Sequence, residues 1–159
     1  MEPIDALNAL PAEEFGEALR PLFEVAQPLA DALYAARPFT SYPTLIDTAE
    51  AVAMSLPDAD QVRVLSAHPR IGADPDTLSA ASLREQGKIE PAYVYTELAH
   101  LNAAYEQRFG FRFVVFVNGR SKAHILAVLR ERIQNSRQEE QQTGLREMFL
   151  IARDRYASA

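Results

Sequence analysis

The sequence predicts an all-α fold, a single compact multi-helix domain spanning residues 1–159 with one extended buried segment near 111–117. Three observations predict it. Apolar residues recur at steps of three and four along nearly the whole chain, the period of helices with one buried face. Only the run Phe-Arg-Phe-Val-Val-Phe-Val at 111–117 is built from the β-branched and aromatic types that favour extended chain. Strands alternating with helices, as a dinucleotide-binding fold requires, are absent, and so is any Gly-x-Gly-x-x-Gly. About seven to nine helices are expected.

Ile4, Leu7 and Leu10 begin a stripe that Phe15, Ala18, Leu19 and Leu22 continue across Pro11, which suits a first helical turn, so two short helices open the chain. Pro21 and Pro28 place breaks near Arg20 and Gln27 before the pattern resumes at 29–36 and ends at Arg37-Pro38-Phe39. Ser41-Tyr42-Pro43 starts a helix with Leu45, Ala49, Val52 and Leu56 on one face, stopped by Pro57. A helix follows over 58–67, with Asp58 as its N-cap and Gln61 three residues on. Pro69, Gly72 and Pro75 make 68–78 a loop. From 91 to 109, Val94, Leu98, Leu101, Tyr105 and Phe109 define a long amphipathic helix that Gly110 ends. Asn118-Gly119 closes the extended run as a turn. Ser121 then starts a helix with Ile125, Val128, Leu129 and Ile133 on its apolar face. The last helix buries Leu145, Met148, Phe149, Ala152 and Tyr156, and its Arg146, Arg153 and Arg155 read as a solvated face that complements the helix dipole.

Composition narrows the function. A chain of 159 residues with 48% apolar content can bury roughly two-thirds of its unfolded surface. No apolar run approaches the length of a membrane span. The start, Met1-Glu2-Pro3-Ile4-Asp5, lacks the basic and then apolar regions of a signal peptide, so a cytoplasmic location is expected. Absence of cysteine removes disulfides, thiolate catalysis and cysteine metal sites. A net charge of −6, without a basic stripe, disfavours nucleic acid. His68, His100 and His124 show no metal-ligand spacing, so no metal is expected.

The stretch from His68 to Gln86 carries the parts for acid/base work on a small polar molecule. His68-Pro69-Arg70-Ile71-Gly72 supplies a histidine in a turn, and Ser82-Leu83-Arg84-Glu85-Gln86 supplies an adjacent acid and amide. Structural roles fit the same residues: His68 as the end of the 58–67 helix, and Ser82 with Glu85 as a capping box. The extended run either threads the core with backbone groups free for a ligand, or is a short connector or the start of a helix. Arg132 falls on an apolar helix face, three residues after Leu129, where it either snorkels to water over its stem or meets an anionic ligand. A helical adaptor without activity, or another cofactor-free lyase or hydrolase using His68 and Glu85, would also fit.

Taken in order, His68-Pro-Arg-Ile-Gly72, Ser82-x-x-Glu85-Gln86, Arg108-Phe-Gly-Phe-Arg-Phe113 and Arg132-x-x-Asn135 resemble the OHCU decarboxylase family, whose members act on 2-oxo-4-hydroxy-4-carboxy-5-ureidoimidazoline. The resemblance runs from Leu7-Asn8 through Arg37-Pro38-Phe39 to the last helix. It implies an all-helical homodimer and a cofactor-independent decarboxylation giving (S)-allantoin in urate breakdown. By motif, it implies catalysis by His68 and Glu85, with His68 the acid/base tuned by Glu85. It implies substrate binding by Ser82, Gln86 and Arg132, and by the backbone of Val115, Phe116, Val117 and Asn118. The chain departs from the family pattern at Ala26-Gln27-Pro28, where an aromatic is common, and at Gly87-Lys88-Ile89-Glu90-Pro91.

Overall fold

A computed structural model describes residues 1–24, 26–86 and 90–159, and of the departure noted at 87–91 the first three residues lie outside them. Helices α1 (Ile4–Ala9), α2 (Ala12–Ala18), α3 (Arg20–Phe23), α4 (Gln27–Ala35), α5 (Tyr42–Ser55) and α6 (Asp58–Ser66) are followed by a 3-10 turn at Pro75–Thr77. Then come α7 (Ala80–Gln86), α8 (Ala92–Phe109), α9 (Lys122–Arg132) and α10 (Arg137–Ala157). Among the described residues there is no strand. The fold is all-α, with ten α-helices among the described residues against the seven to nine expected. The difference lies at the start, where Leu19 stays helical in φ and ψ and Pro21 sits in the first turn of a separate α3, so a break became a four-residue helix.

Side chains cap three of the helix starts. Ser41 and Ser121 accept the amides of Thr44 and His124, and Ser136 with Glu139 forms a reciprocal capping box on α10. Asp58 is not a cap: Pro57 holds that position, and the Asp58 carboxylate instead takes two bonds from Arg137. Gly110 ends α8 with φ of 81°, a left-handed conformation that glycine holds without a Cβ clash.

Helix α10 is the axis of the domain, packing on α3, α5 and α6, while α8 and α9 pack on each other. Leu145, Met148, Phe149 and Ala152 of α10 are fully buried in a core shared with Phe15, Leu45, Leu65 and Leu98. Tyr105, Phe109, Phe111 and Phe113 add an aromatic cluster with ring centroids 4.6 to 6.0 Å apart. At the start of the chain, Asn8 exchanges two hydrogen bonds with the backbone of Phe39, and Arg37 donates to the Asn8 and Leu10 carbonyls.

Residues 111–117 thread this core as extended chain, as the first of the two sequence readings has it. Arg132 holds the segment from behind: its Nη1 donates to the Val114 carbonyl at 2.7 Å and its guanidinium lies over the Phe113 ring. Its Nε meets Glu140 at 2.8 Å, and the same carboxylate accepts from Tyr105 and Asn135. Burial, then the bond to Glu140, pushes the Tyr105 phenol well above its ordinary pKa, so it stays a donor. Arg132 therefore does not snorkel. Its head is buried and neutralised inside the protein.

Breaking a buried pair strands the partner charge, at a cost of about 3–5 kcal/mol. Glu140→Ala is expected to lose stability on that scale in urea denaturation, and a loss under about 1 kcal/mol would show that the network contributes little.

Candidate active site

Pro69 stops the chain after α6, leaving His68 just past the helix end with its amide on the Leu65 carbonyl at 3.2 Å. The loop beyond it is pinned on several sides. Arg112 donates to the His68 carbonyl at 3.0 Å, Asn102 to the Ile71 carbonyl at 3.0 Å, and Arg70 forks onto Glu106. Gly72 takes φ of 80°, with Leu98 so near that an added Cβ would sit 3.3 Å from it. Gln86 completes the fastening: its Oε1 accepts from the Gly72 amide at 2.9 Å, and its Nε2 reaches the Arg70 carbonyl at a long 3.5 Å.

Ser82, Glu85 and Gln86 stand at i, i+3 and i+4 on α7, hence on one face. Ser82 is not the cap of this helix. Ser79 is, accepting the Ser82 amide at 3.1 Å, which releases the Ser82 hydroxyl to face inward.

Against that face lies Arg155 of α10, with its side chain 3% exposed. Nε and Nη2 donate to the two Glu85 oxygens at 2.8 and 3.2 Å, and Nη2 also reaches Ser82 Oγ and Glu24 Oε1 at 3.1 Å each. The sequence reading turned Arg155 to solvent with Arg146 and Arg153, and the structure corrects this. Arg155 follows Ala152 by three and Met148 by seven, so helical spacing alone puts it on the buried face, as it does Arg132. Glu24, in a left-handed conformation after α3, is the other residue the sequence reading missed, and no periodicity marks it.

His68 is 4% exposed, and neither ring nitrogen has a hydrogen-bond partner among the described residues. Burial, and then the Arg155 charge, lowers its pKa to about 4. Glu24 pulls the other way, as does the backbone of Val64, which falls short of hydrogen-bond geometry. The imidazole is thus neutral at pH 7, one nitrogen a donor and the other an acceptor, both unused. It is the fields of Arg155 and Glu24 that reach His68. Glu85 is taken up by Arg155, so direct tuning of His68 by Glu85 is not what the geometry provides.

A cleft of about 520 Å³ opens beside this cluster, walled by Glu85, Gln86, Phe116, Asn118 and Arg155 among others. It adjoins an inner chamber of about 20 Å³ that His68, Ser82 and Val115 help to line. Ile71, Glu85, Gln86, Val117 and Arg155 wall both. Extended chain points the N–H and C=O of alternate residues to opposite sides. The Val114 carbonyl is taken by Arg132, and the Phe116 amide and carbonyl by Glu147 and Arg120, whereas the amide and carbonyl of Val115 and the amide of Val117 have no partner among the described residues. Asn118 and Gly119 both have positive φ and close a turn in which Arg120 donates to the Val117 carbonyl. Among the described residues no three His, Asp or Glu side chains group as a metal site. No helix among them is long and apolar enough to cross a membrane.

Comparison with known proteins gives this arrangement a family. The profile of the OHCU decarboxylase family matches residues 8–157, nearly the whole chain. The protein belongs to the OHCU decarboxylase family. The chain is 33% identical over 162 residues to the uric acid degradation bifunctional protein PucL of Bacillus subtilis, a match covering 99% of this chain and 32% of that one. It spans about a third of the length of the two bifunctional relatives it matches. It is 31% identical over 157 residues to the 2-oxo-4-hydroxy-4-carboxy-5-ureidoimidazoline decarboxylase of Halalkalicoccus jeotgali, covering 94% of this chain and 86% of that one. The crystal structure of an OHCU decarboxylase in the presence of (S)-allantoin superposes with a TM-score of 0.73 at 26% identity, covering 89% of this chain and 96% of that one.

Within this OHCU decarboxylase fold, His68, Ser82, Glu85, Gln86, Val115 and Val117 come together around the inner chamber, and Phe116 and Asn118 line the outer cleft. Arg132 does not join them. It lines neither space, because Glu140 and the Val114 carbonyl take up its Nε and Nη1.

The depressed His68 pKa has a stability consequence with a definite sign. The unfolded chain protonates this imidazole near 6.5 and the folded one only near 4, so its share of stability is intact above pH 6.5 and is lost as pH falls from 6.5 to 4, by roughly 3 kcal/mol. Imidazole proton shifts followed by NMR should show His68 still neutral at pH 5.5. A midpoint near 6.5 would contradict its burial as described.

Proposed function

We propose that this protein decarboxylates 2-oxo-4-hydroxy-4-carboxy-5-ureidoimidazoline to (S)-allantoin in urate degradation, without metal or organic cofactor, acting on that small molecule as a cytoplasmic homodimer. The observation that carries the reading is His68, whose two unpartnered ring nitrogens are buried beside a guanidinium and an unpaired backbone edge. Buried polar groups in native proteins are nearly always bonded, so such a set fits groups reserved for a ligand.

The substrate supplies its own electron sink. Its carboxylate sits on the ring carbon that also bears the hydroxyl, next to the C=N carbon bearing the ureido group. When the C–C bond breaks, carbon dioxide leaves and the electron pair forms a C=C bond within the ring, while the C=N pair moves to nitrogen and is protonated there. Loss of the hydroxyl proton then makes the carbonyl as a proton adds to the ureido-bearing carbon, and delivery to one face gives one enantiomer. The protein has only to orient, polarise and move protons.

Neutral His68 is suited to take the hydroxyl proton and return one to carbon. Arg155 takes the anion-gripping role that the resemblance gave Arg132. The carboxylate would compete with Glu85 for the guanidinium, so Glu85 screens Arg155 at rest and becomes a free base when displaced. The Val115 and Val117 backbone groups match the alternating donors and acceptors of a ring amide edge. Gln86, engaged with the loop, holds His68 in place and offers its remaining amide hydrogen.

Oxidising urate, hydrolysing the first product and following optical activity with and without this protein tests the reading. Faster appearance of (S)-allantoin, insensitive to chelator, is expected, and an unchanged trace would sink it. His68→Ala should lose on the order of 10² to 10⁴ in rate. Arg155→Lys keeps the charge but not the fork, and should cost about ten- to over a hundred-fold in kcat/KM. Arg132→Lys should act on melting temperature first. Light scattering tests the dimer.

A further inference from the structure

We propose that Glu24 is a positioning residue of this site, fixing the Ser82 hydroxyl and the Nη2 edge of Arg155 from a side that the substrate cleft does not reach. The inference rests on the decarboxylase reading. Glu24 lines neither the cleft nor its inner chamber; it borders a separate cavity of about 300 Å³ with Ser79, Thr77 and Arg70. One of its oxygens, Oε1, receives Ser79 Oγ at 2.5 Å, Ser82 Oγ at 2.6 Å and Arg155 Nη2 at 3.1 Å.

An ionised carboxylate can only accept, so the Ser82 hydrogen is committed to Glu24. Burial opposes ionisation of Glu24, but the Ser79 and Ser82 hydroxyls and then Arg155 outweigh it and hold the carboxyl below its usual pKa. With the single Ser79 hydrogen also given to Glu24, although Ser79 Oγ lies 3.1 Å from Ser82 Oγ, Ser82 presents lone pairs alone to the chamber: it takes Arg155 Nη2 at 3.1 Å and can take one N–H or O–H from a ligand. Without Glu24 the hydroxyl is free to rotate and offer a donor instead. The guanidinium is likewise held at Nε and Nη2, leaving Nη1, with only a 3.5 Å contact to the Pro21 carbonyl, as its least engaged arm.

A purely structural role accounts poorly for this carboxylate. Glu85 already neutralises Arg155 through a two-point pair, so Glu24 is a second negative charge around one cation, beside a neutral histidine. It is also held at φ of 51°, a backbone region that residues with a side chain seldom occupy and that recurs where a fold presents a functional group. The excess charge has a use in the reaction: Glu24 favours the protonated state of His68, so it steadies the imidazolium formed when His68 takes the substrate's proton.

The experiment is a double-mutant cycle on kcat/KM for (S)-allantoin formation, using the full chain, with melting measured for each protein. Glu24→Gln, which keeps shape and loses charge, and Ser82→Ala are each expected to lower kcat/KM by roughly ten- to a hundred-fold, and the double variant to fall little below the worse single. Glu24→Asp, as a second variant that keeps the charge, is expected to recover part of the rate, and it enters the same cycle if Glu24→Gln does not fold. Parental kcat/KM in Glu24→Gln, or losses that multiply in the double variant, would overturn the role of Glu24 while leaving the decarboxylase reading intact. A parent without turnover would bring down both.

Discussion

An extended chain buried among helices must find a partner for each amide and carbonyl it carries, and no neighbouring strand is there to supply them. Within residues 113–117, charged side chains from the surrounding helices and the turn answer four of these groups: Arg132 the Val114 carbonyl, Glu147 the Phe116 amide, and Arg120 the carbonyls of Phe116 and Val117. Each of those charges then needs its own answer. The fully buried Glu140, with Tyr105 and Asn135 bound to it, follows from the need to neutralise Arg132. The tethers miss the amide and carbonyl of Val115 and the amide of Val117, and both residues line the inner chamber.

The same economy explains why two arginines on apolar helix faces differ in role. Arg132 is paired by a carboxylate that has no access to the cleft, and its Nε and Nη1 serve the core. Arg155 is paired by Glu85, a wall of the cleft, and by Glu24 from the side away from it. A guanidinium answered by an exchangeable partner can bind an incoming anion. One answered by a sealed partner cannot without unfolding part of the core.

Periodicity made the helices legible, since Leu98, Tyr105 and Phe109 or Leu145, Met148 and Phe149 can share a face only on a helix. It also made the 111–117 segment legible as the exception. The short pieces at the start were blurred because prolines both start and stop helices there. Of the site, His68, Ser82, Glu85 and Gln86 were visible as a motif in α7 and the loop before it, because they lie close together in the chain. Arg155 was passed over among exposed arginines although its spacing marked it, for burial of a charge depends on partners contributed by other helices. Glu24 left no trace in any period, because a backbone turn, not a helix face, aims it.

The sequence distances across the Arg155 cluster set how the site comes into being. Its bonds bridge 131 positions to Glu24, 73 to Ser82 and 70 to Glu85. Loops of that size are closed only when the helices between have packed, since nothing local rewards bringing their ends together earlier. There is accordingly no small fragment in which the cluster could preassemble, and a partly folded chain offers histidine and carboxylates in ordinary aqueous states. The cluster is therefore gained and lost with the packing of the helices that carry it, and no part of it outlasts their separation.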